Sequence, residues 1–268
     1  FENDELPEAD AVVAQYHRLR TDLQTFNQEI DNLLSYLRGD TKPETVDDID
    51  QIETASRDLM QSTATFRDRF QDLSVKCSGL GLSEASESLI DVVAAFGEFP
   101  TEIEDYLLEN HLLLVLKAEH FPGAVKENIP ELILKLDADD RARRQNSAFI
   151  LARLAADFPA AVGQYHDQLT TQLRKAPVDE QKNLLGALLF VSAADAMPDT
   201  VAKAEALELI RADDTTVALY AALVLGTQST TAEQARLIAT RVVSLLDVDA
   251  ATTTKVNATM VLYQLAES

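Results

Sequence analysis

The phrase Phe121-Pro122-Gly123-Ala124-Val125 returns as Phe158-Pro159-Ala160-Ala161-Val162, and in weaker form as Met197-Pro198-Asp199-Thr200-Val201. Its prolines stand 37 and 39 residues apart, each between one apolar helical stretch and the next. A period of that length predicts stacked helix–turn–helix units, in which each unit buries its apolar face only against its neighbours. Such a stack presents surface to a partner more often than it carries chemistry.

The pattern extends on both sides. Helix pairs are expected at about 124–136 preceded by a helix ending near Phe121, then 140–156 with 161–176, 179–195 with 199–212, and 214–227 with 231–246. A last helix, about 250–266, has no partner. Asp137, Asp139, Asp140, Asp179, Asp213, Asp214, Asp247 and Asp249 mark the joints. Aspartate there can accept from the free N–H groups of the next helix and suits its positive end. The fourth pair lacks the proline and offers Thr230 and Glu233 as a cap instead.

Upstream the period changes. Val12, Tyr16, Leu19, Leu23, Phe26, Ile30, Leu33 and Leu37 alternate steps of four and three, a heptad seam. Gly39-Asp40 ends that helix, and Thr41 with Glu44 has the spacing of a capping box for the next. There Ile52, Leu59, Phe66 and Leu73 fall seven apart, beside a weaker row of Ile49, Ser56, Thr63 and Phe70. Two such helices joined by a short turn predict an antiparallel hairpin, roughly 45 Å long at 1.5 Å per residue. Gly79 and Gly81 make the clearest break. Ser83 then opens a helix expected to stop at Pro100, and Thr101 with Glu104 caps the one that carries Leu107 and Leu108.

The expected class is therefore all-α: an acidic, coiled-coil-like helical hairpin over 1–78, a connecting helix over 79–100, and a solenoid of about four helix pairs over 101–268. Paired helices at this period, a proline between the two, and acidic joints resemble HEAT-type repeats over roughly residues 101–266. That resemblance implies a protein-binding scaffold and brings no shared catalytic residues. The hairpin lies outside the resemblance.

Charge narrows the partners. The 268 residues hold 45 acids against 23 bases, a net charge of −22, with Asp exceeding Glu and Arg exceeding Lys. That composition resembles proteins of salt-loving archaea, because strong screening relieves the self-repulsion of a compact acidic fold. Wrapping nucleic acid is disfavoured, since it rests on neutralising phosphates with Lys and Arg. Residues 1–120 carry 26 acids and 9 bases, whereas residues 121–246 carry 16 and 13. In the repeats the second helices hold Lys126, Lys135, Arg174, Lys175, Lys203, Arg211, Arg236 and Arg241. On an inner face these would form a basic ladder for an acidic peptide or for the acidic hairpin of another copy. The alternative is local: several sit in last turns, where a cation offsets the helix dipole whatever the function. Arg141, Arg143, Arg144 and Arg153 cluster on one first helix, where contacts with aspartates of an adjacent unit account for them, and Arg144 can also reach Asp140 at i, i+4. For the hairpin, Tyr16, Phe26, Phe66 and Phe70 are the anchors if one face meets another chain.

No motif for chemistry stands out. His17, His111, His120 and His166 lack the i, i+4 pairing of a helical metal site, and no His-Glu-x-x-His occurs. Gly79-Leu80-Gly81 has neither the lysine nor the preceding strand of a phosphate loop. The acid pairs Asp47/Asp48 and Asp213/Asp214 read as caps before they read as a general acid and base. Cys77 is alone and expected in a loop, and Asn257-Ala258-Thr259 falls inside a helix. No metal, cofactor or catalytic residue is assigned. The apolar run Val217–Gly226 is too short to cross a bilayer and belongs in a core. No secretory signal is visible, so the cytoplasm is expected. Phe1 at the start and the unpaired last helix are what excision from a larger protein, or an end-capping helix, would leave.

These observations point to a noncatalytic scaffold or adaptor that holds another protein, a peptide segment or a second copy of itself. A nucleic-acid-associated repeat protein, in chromosome organisation or DNA repair, is the alternative. An enzyme on a helical-repeat frame would need a pocket of convergent polar groups.

Overall fold

The computed structural model describes residues 5–37, 42–103, 112–198, 202–228, 230–246 and 251–267, and the chain divides into two compact units, Phe1–Leu113 and Leu114–Ser268. Among the described residues every regular element is helical, and no helix is long and apolar enough to cross a membrane.

The first unit contains α1 (Glu5–Leu37), α2 (Val46–Gly79) and α3 (Ser83–Ile103), with α1 and α3 both packed on α2. α2 can serve two neighbours because both of its rows are buried: Ile52, Leu59, Phe66 and Leu73, and beside them Ile49, Ser56, Thr63 and Phe70. The hydroxyls of Ser56 and Thr63 donate to the carbonyls of Ile52 and Leu59, so neither is buried without a partner. Paired positions fall along α2 as they rise along α1. Gln15 meets Lys76 and Asp72, Asp22 meets Arg69 at 2.8 Å, and the rings of Phe26 and Phe66 lie edge to face at 5.2 Å. A buried pair of serines, Ser74 and Ser86, ties α3 to α2.

Three expectations need correction here. α2 is capped by Thr45 and Asp48, one helical turn later than Thr41 and Glu44, because the Asp48 carboxylate takes the N–H groups of both Glu44 and Thr45. Thr41 itself lies outside the described residues, as do Gly39, Asp40 and the side chains of Ile30, Leu33 and Leu37. α3 runs through Pro100 to Ile103, since a proline removes one N–H and one ladder bond without having to end a helix. Glu104, Leu107, Leu108 and His111 are outside the described residues. Cys77 is not in a loop; it is buried in the last turn of α2.

Gly81 does stop α2. At φ +74° it turns the chain left-handed, so that its N–H reaches the Ser78 carbonyl and that of Leu82 reaches Cys77. Open space surrounds the Cβ that alanine would add, so Gly81→Ala isolates the backbone cost. A loss of about 1 kcal/mol in urea unfolding is expected. An unchanged midpoint would mean that the turn is not held left-handed in solution.

The second unit begins within α4 (Leu112–His120), at Leu114. After α4 come α5 (Pro122–Val125), a 3-10 turn at Lys126–Asn128, α6 (Ile129–Lys135), α7 (Arg141–Asp157), α8 (Pro159–Gly163) and α9 (His166–Lys175). Then come α10 (Val178–Ala193), α11 (Lys203–Leu209), α12 (Thr215–Gly226), α13 (Ala232–Ser244) and α14 (Thr252–Glu267). Helices α7, α10, α12 and α14 pack one on the next, while α6, α9, α11 and α13 each pack on the first helix that follows them. The run Val217–Leu225 is buried apart from Tyr220, which explains why α12 shows no polar face.

The repeated phrase folds alike twice. Phe121 and Phe158 take nearly the same backbone angles (φ −137°, ψ 60° and φ −132°, ψ 55°), and each donates its N–H four residues back, to Lys117 and Leu154. The proline after each opens the next helix, where its missing N–H costs nothing. The third copy ends differently. Asp195 at φ 53° closes α10, with its N–H on the Ser192 carbonyl and that of Ala196 on Val191. Asp199, Thr200 and Val201 are outside the described residues.

Two second helices expected to be continuous are broken. Pro130 cannot donate to the carbonyl of Lys126, so the stretch 124–136 becomes α5, a 3-10 turn and α6. The stretch 161–176 breaks after Gly163, which is buried against α10. The cap of α13 is Thr231 with Gln234, one residue beyond Thr230 and Glu233.

Candidate functional site

Of the aspartates at the joints, Asp140 and Asp214 cap α7 and α12 through backbone N–H groups. Asp179 accepts from Arg141 at 2.7 Å and Asp137 from Lys175 at 2.5 Å. Asp247 and Asp249 lie outside the described residues. The arginine cluster works in the same way. Arg144 turns from Asp140 to Glu180, donating Nε at 3.1 Å, while its Nη1 donates to the carbonyls of Ala138 and Asp139. Arg153 is exposed. These ties join residues 36 to 38 positions apart, one repeat length.

Most of the basic residues on the second helices are spent similarly. Lys126 holds its Nζ 5.3 Å above the Phe158 ring. Arg174 pairs with the buried Glu205, and Lys175 with Asp137. Lys135 sits half-buried in the last turn of α6, where its charge faces the negative end of the helix. Lys203, half-buried at the start of α11, also has an interaction of its own. Arg241 donates Nε to the Ile210 carbonyl at 3.1 Å and Nη2 to that of Ala212 at 2.8 Å, closing the free end of α11.

Arg211 and Arg236 differ. Both are exposed, neither makes an ion pair among the described residues, and both line a groove of about 630 Å³ between the end of α11 and α13. Ile210 and Leu237 are its apolar lining, and Arg241, Asp213 and Glu233 line it with the two arginines. Sequence periodicity places Arg211 and Arg236 on second helices but gives no sign of Leu237, which is 37 % exposed beside them.

On α1 and α2, Phe26, Phe66 and Phe70 are buried within the first unit and hold its helices together, whereas Tyr16 is 47 % exposed. His17 stacks edge-on with Tyr16, His120 lies beside Phe121, and His166 is half-buried 3.1 Å from Asp167. Among the described residues no three His, Cys, Asp or Glu side chains are grouped as a metal ion would require. Asp48 and Asp214 act as caps while Asp47 and Asp213 are exposed, and Asn257 lies in α14.

Asp214 makes the second unit sensitive to acid. Partial burial pushes its carboxyl up, but the Val217 N–H, the Lys182 ammonium and the Thr216 N–H outweigh burial and hold it below the ordinary 3.8. Asp137 is lowered by Gln172 and Lys175. A carboxyl lowered by folding adds stability that is complete above the unfolded value and vanishes as pH falls through the folded one. Stability should therefore drop below pH 3.8, the ordinary Asp value. Asp214→Asn keeps a capping acceptor yet cannot titrate, so its urea midpoint should fall less steeply below that pH than wild type. Parallel acid limbs would remove Asp214 from the account.

No protein-family model, curated protein or solved structure matches the chain.

Proposed function

We propose that this protein is a noncatalytic interaction scaffold. In this reading α1 and α2 form a long antiparallel hairpin, and the helices from α4 onward form a HEAT-like solenoid of about four pairs. Support comes from the succession α7, α10, α12 and α14, from the matching corners at Phe121 and Phe158, and from ion pairs that reach one repeat along the chain. The groove between α11 and α13 holds an acidic segment of another protein: an apolar side chain enters between Ile210 and Leu237, and carboxylates meet Arg211 and Arg236.

One observation carries this assignment. Arg174, Lys175 and Arg241 are held by carboxylates or carbonyls, while Arg211 and Arg236 flank a groove and make no ion pair among the described residues. The same commitment of bases weighs against nucleic acid, which needs many free cations on one face. The test uses a fluorescent Asp-rich peptide with one central Leu, titrated with wild type, with Arg211→Glu/Arg236→Glu, and with the control Arg153→Glu. The groove variant should bind at least tenfold more weakly and the control as wild type, with affinity falling as salt rises. Equal binding by all three proteins would remove the groove from this role.

A further inference from the structure

α1 and α3 flank the same stretch of α2, and the space between them is not filled. Leu73 and Cys77 of α2 form the floor of a cleft of about 280 Å³, with Val13 and Tyr16 of α1 on one side and Ala85 and Leu89 of α3 on the other. Floor and rim differ sharply: Leu73 is 1 % exposed and Cys77 5 %, but Val13 is 54 % and Tyr16 47 %. Leaving such side chains wet forgoes about 25 cal/mol for each Å² of apolar surface that a further helix would cover. Two helices flanking a third make an incomplete bundle, and an apolar stripe of another helix is the element that completes it.

The charge around the cleft selects that helix. α3 carries Glu84, Glu87 and Asp91 on its exposed face, adjoining Ala85 and Ser88 of the cleft, and it contains no base from Ser83 to Ile103. Across the cleft, α1 presents His17 and Arg20 beside Tyr16. Residues 1–113 hold 25 acids against 8 bases, so a second copy of this unit would meet like charge. We infer that the cleft between α1 and α3 is a docking site for a basic amphipathic helix of a partner protein, whose Lys- or Arg-bearing flank lies along Glu84, Glu87 and Asp91. This site is separate from the groove between α11 and α13 and does not depend on it.

The test takes the whole protein and a labelled Leu/Lys peptide about as long as α3, with Leu at heptad a and d positions, against a peptide of the same composition in scrambled order. Fluorescence anisotropy should show the amphipathic peptide binding at least tenfold more tightly than the scrambled one. Val13→Gln/Tyr16→Gln, which adds no charge, should weaken it at least fivefold, while Val75→Gln, at a site 67 % exposed in wild type, leaves it unchanged. Glu84→Gln/Glu87→Gln/Asp91→Asn should flatten the salt dependence. Circular dichroism melts confirm that each variant is folded. Equal binding of the two peptides, or no effect of Val13→Gln/Tyr16→Gln, would overturn the site. So would sedimentation showing that wild type self-associates and that the same double variant abolishes it, for then a second copy fills the cleft.

Discussion

Gly163→Ala should unfold the second unit at markedly lower denaturant than wild type, whereas Gly186→Ala should raise its stability. The added atom is the same and its surroundings are opposite. A Cβ on Gly163 would overlap the Ala196 carbonyl oxygen and stand 3.0 Å from the Ala196 Cβ and 3.1 Å from the Val191 Cγ1. Those atoms belong to the closing turn of α10, whose N–H of Ala196 is already bonded to the Val191 carbonyl and cannot retreat freely. Overpacking of this kind costs on the order of 3 kcal/mol. Gly186 sits in mid-helix, and its Cβ would find only the Ala152 Cβ at 3.8 Å, an ordinary contact. Replacing it removes the entropic handicap of a helical glycine and gains about 0.5–1 kcal/mol. Thermal melts would move by roughly 2–4 °C per kcal/mol, down for one and up for the other. Two shifts of the same sign would show that α8 and α10 do not approach as closely as described.

The second large effect is expected at Arg144. Its partner Glu180 has a side chain only 6 % exposed, and Arg144 itself is 24 % exposed. Arg144→Met leaves that carboxylate without a cation and also frees the carbonyls of Ala138 and Asp139. Removing one member of a buried pair costs about 3–5 kcal/mol, because the survivor keeps its desolvation penalty. Glu180→Leu should cost less, since the guanidinium retains two carbonyls and more access to water. The double variant Arg144→Met/Glu180→Leu should recover part of the loss, and a double-mutant cycle in urea measures how much. A cost below about 1 kcal/mol for Arg144→Met would mean that water already shares this pair.

How far a sequence reveals such a protein depends on whether the cause is local. The two rows of α2 were legible down to Ser56 and Thr63, because a helix fixes which residues share a face and lets a hydroxyl bond within its own turn. The Phe-Pro corners were legible because proline sets its own φ and surrenders one donor. Pro130 carried the same information inside a stretch expected to be continuous. Caps are less legible: Thr41 and Thr45, or Thr230 and Thr231, offer near-equal local chemistry, and only the fit of the following turn separates them. The need for glycine at 163 comes from the close approach of Ala196, thirty-three residues away, and no local pattern announces it. The bases of the second helices followed the same rule. Their placement is periodic and readable, but Glu205, Asp137 and the end of α11, which engage three of them, lie 29 to 38 residues away along the chain.

The ties at Arg141, Arg144 and Lys175 each reach 36 to 38 residues along the chain, so a change at one of them is felt first at the helix it is tied to. On the proposed repeat reading, the second unit should tolerate excision or duplication of one whole period far better than removal of half of one.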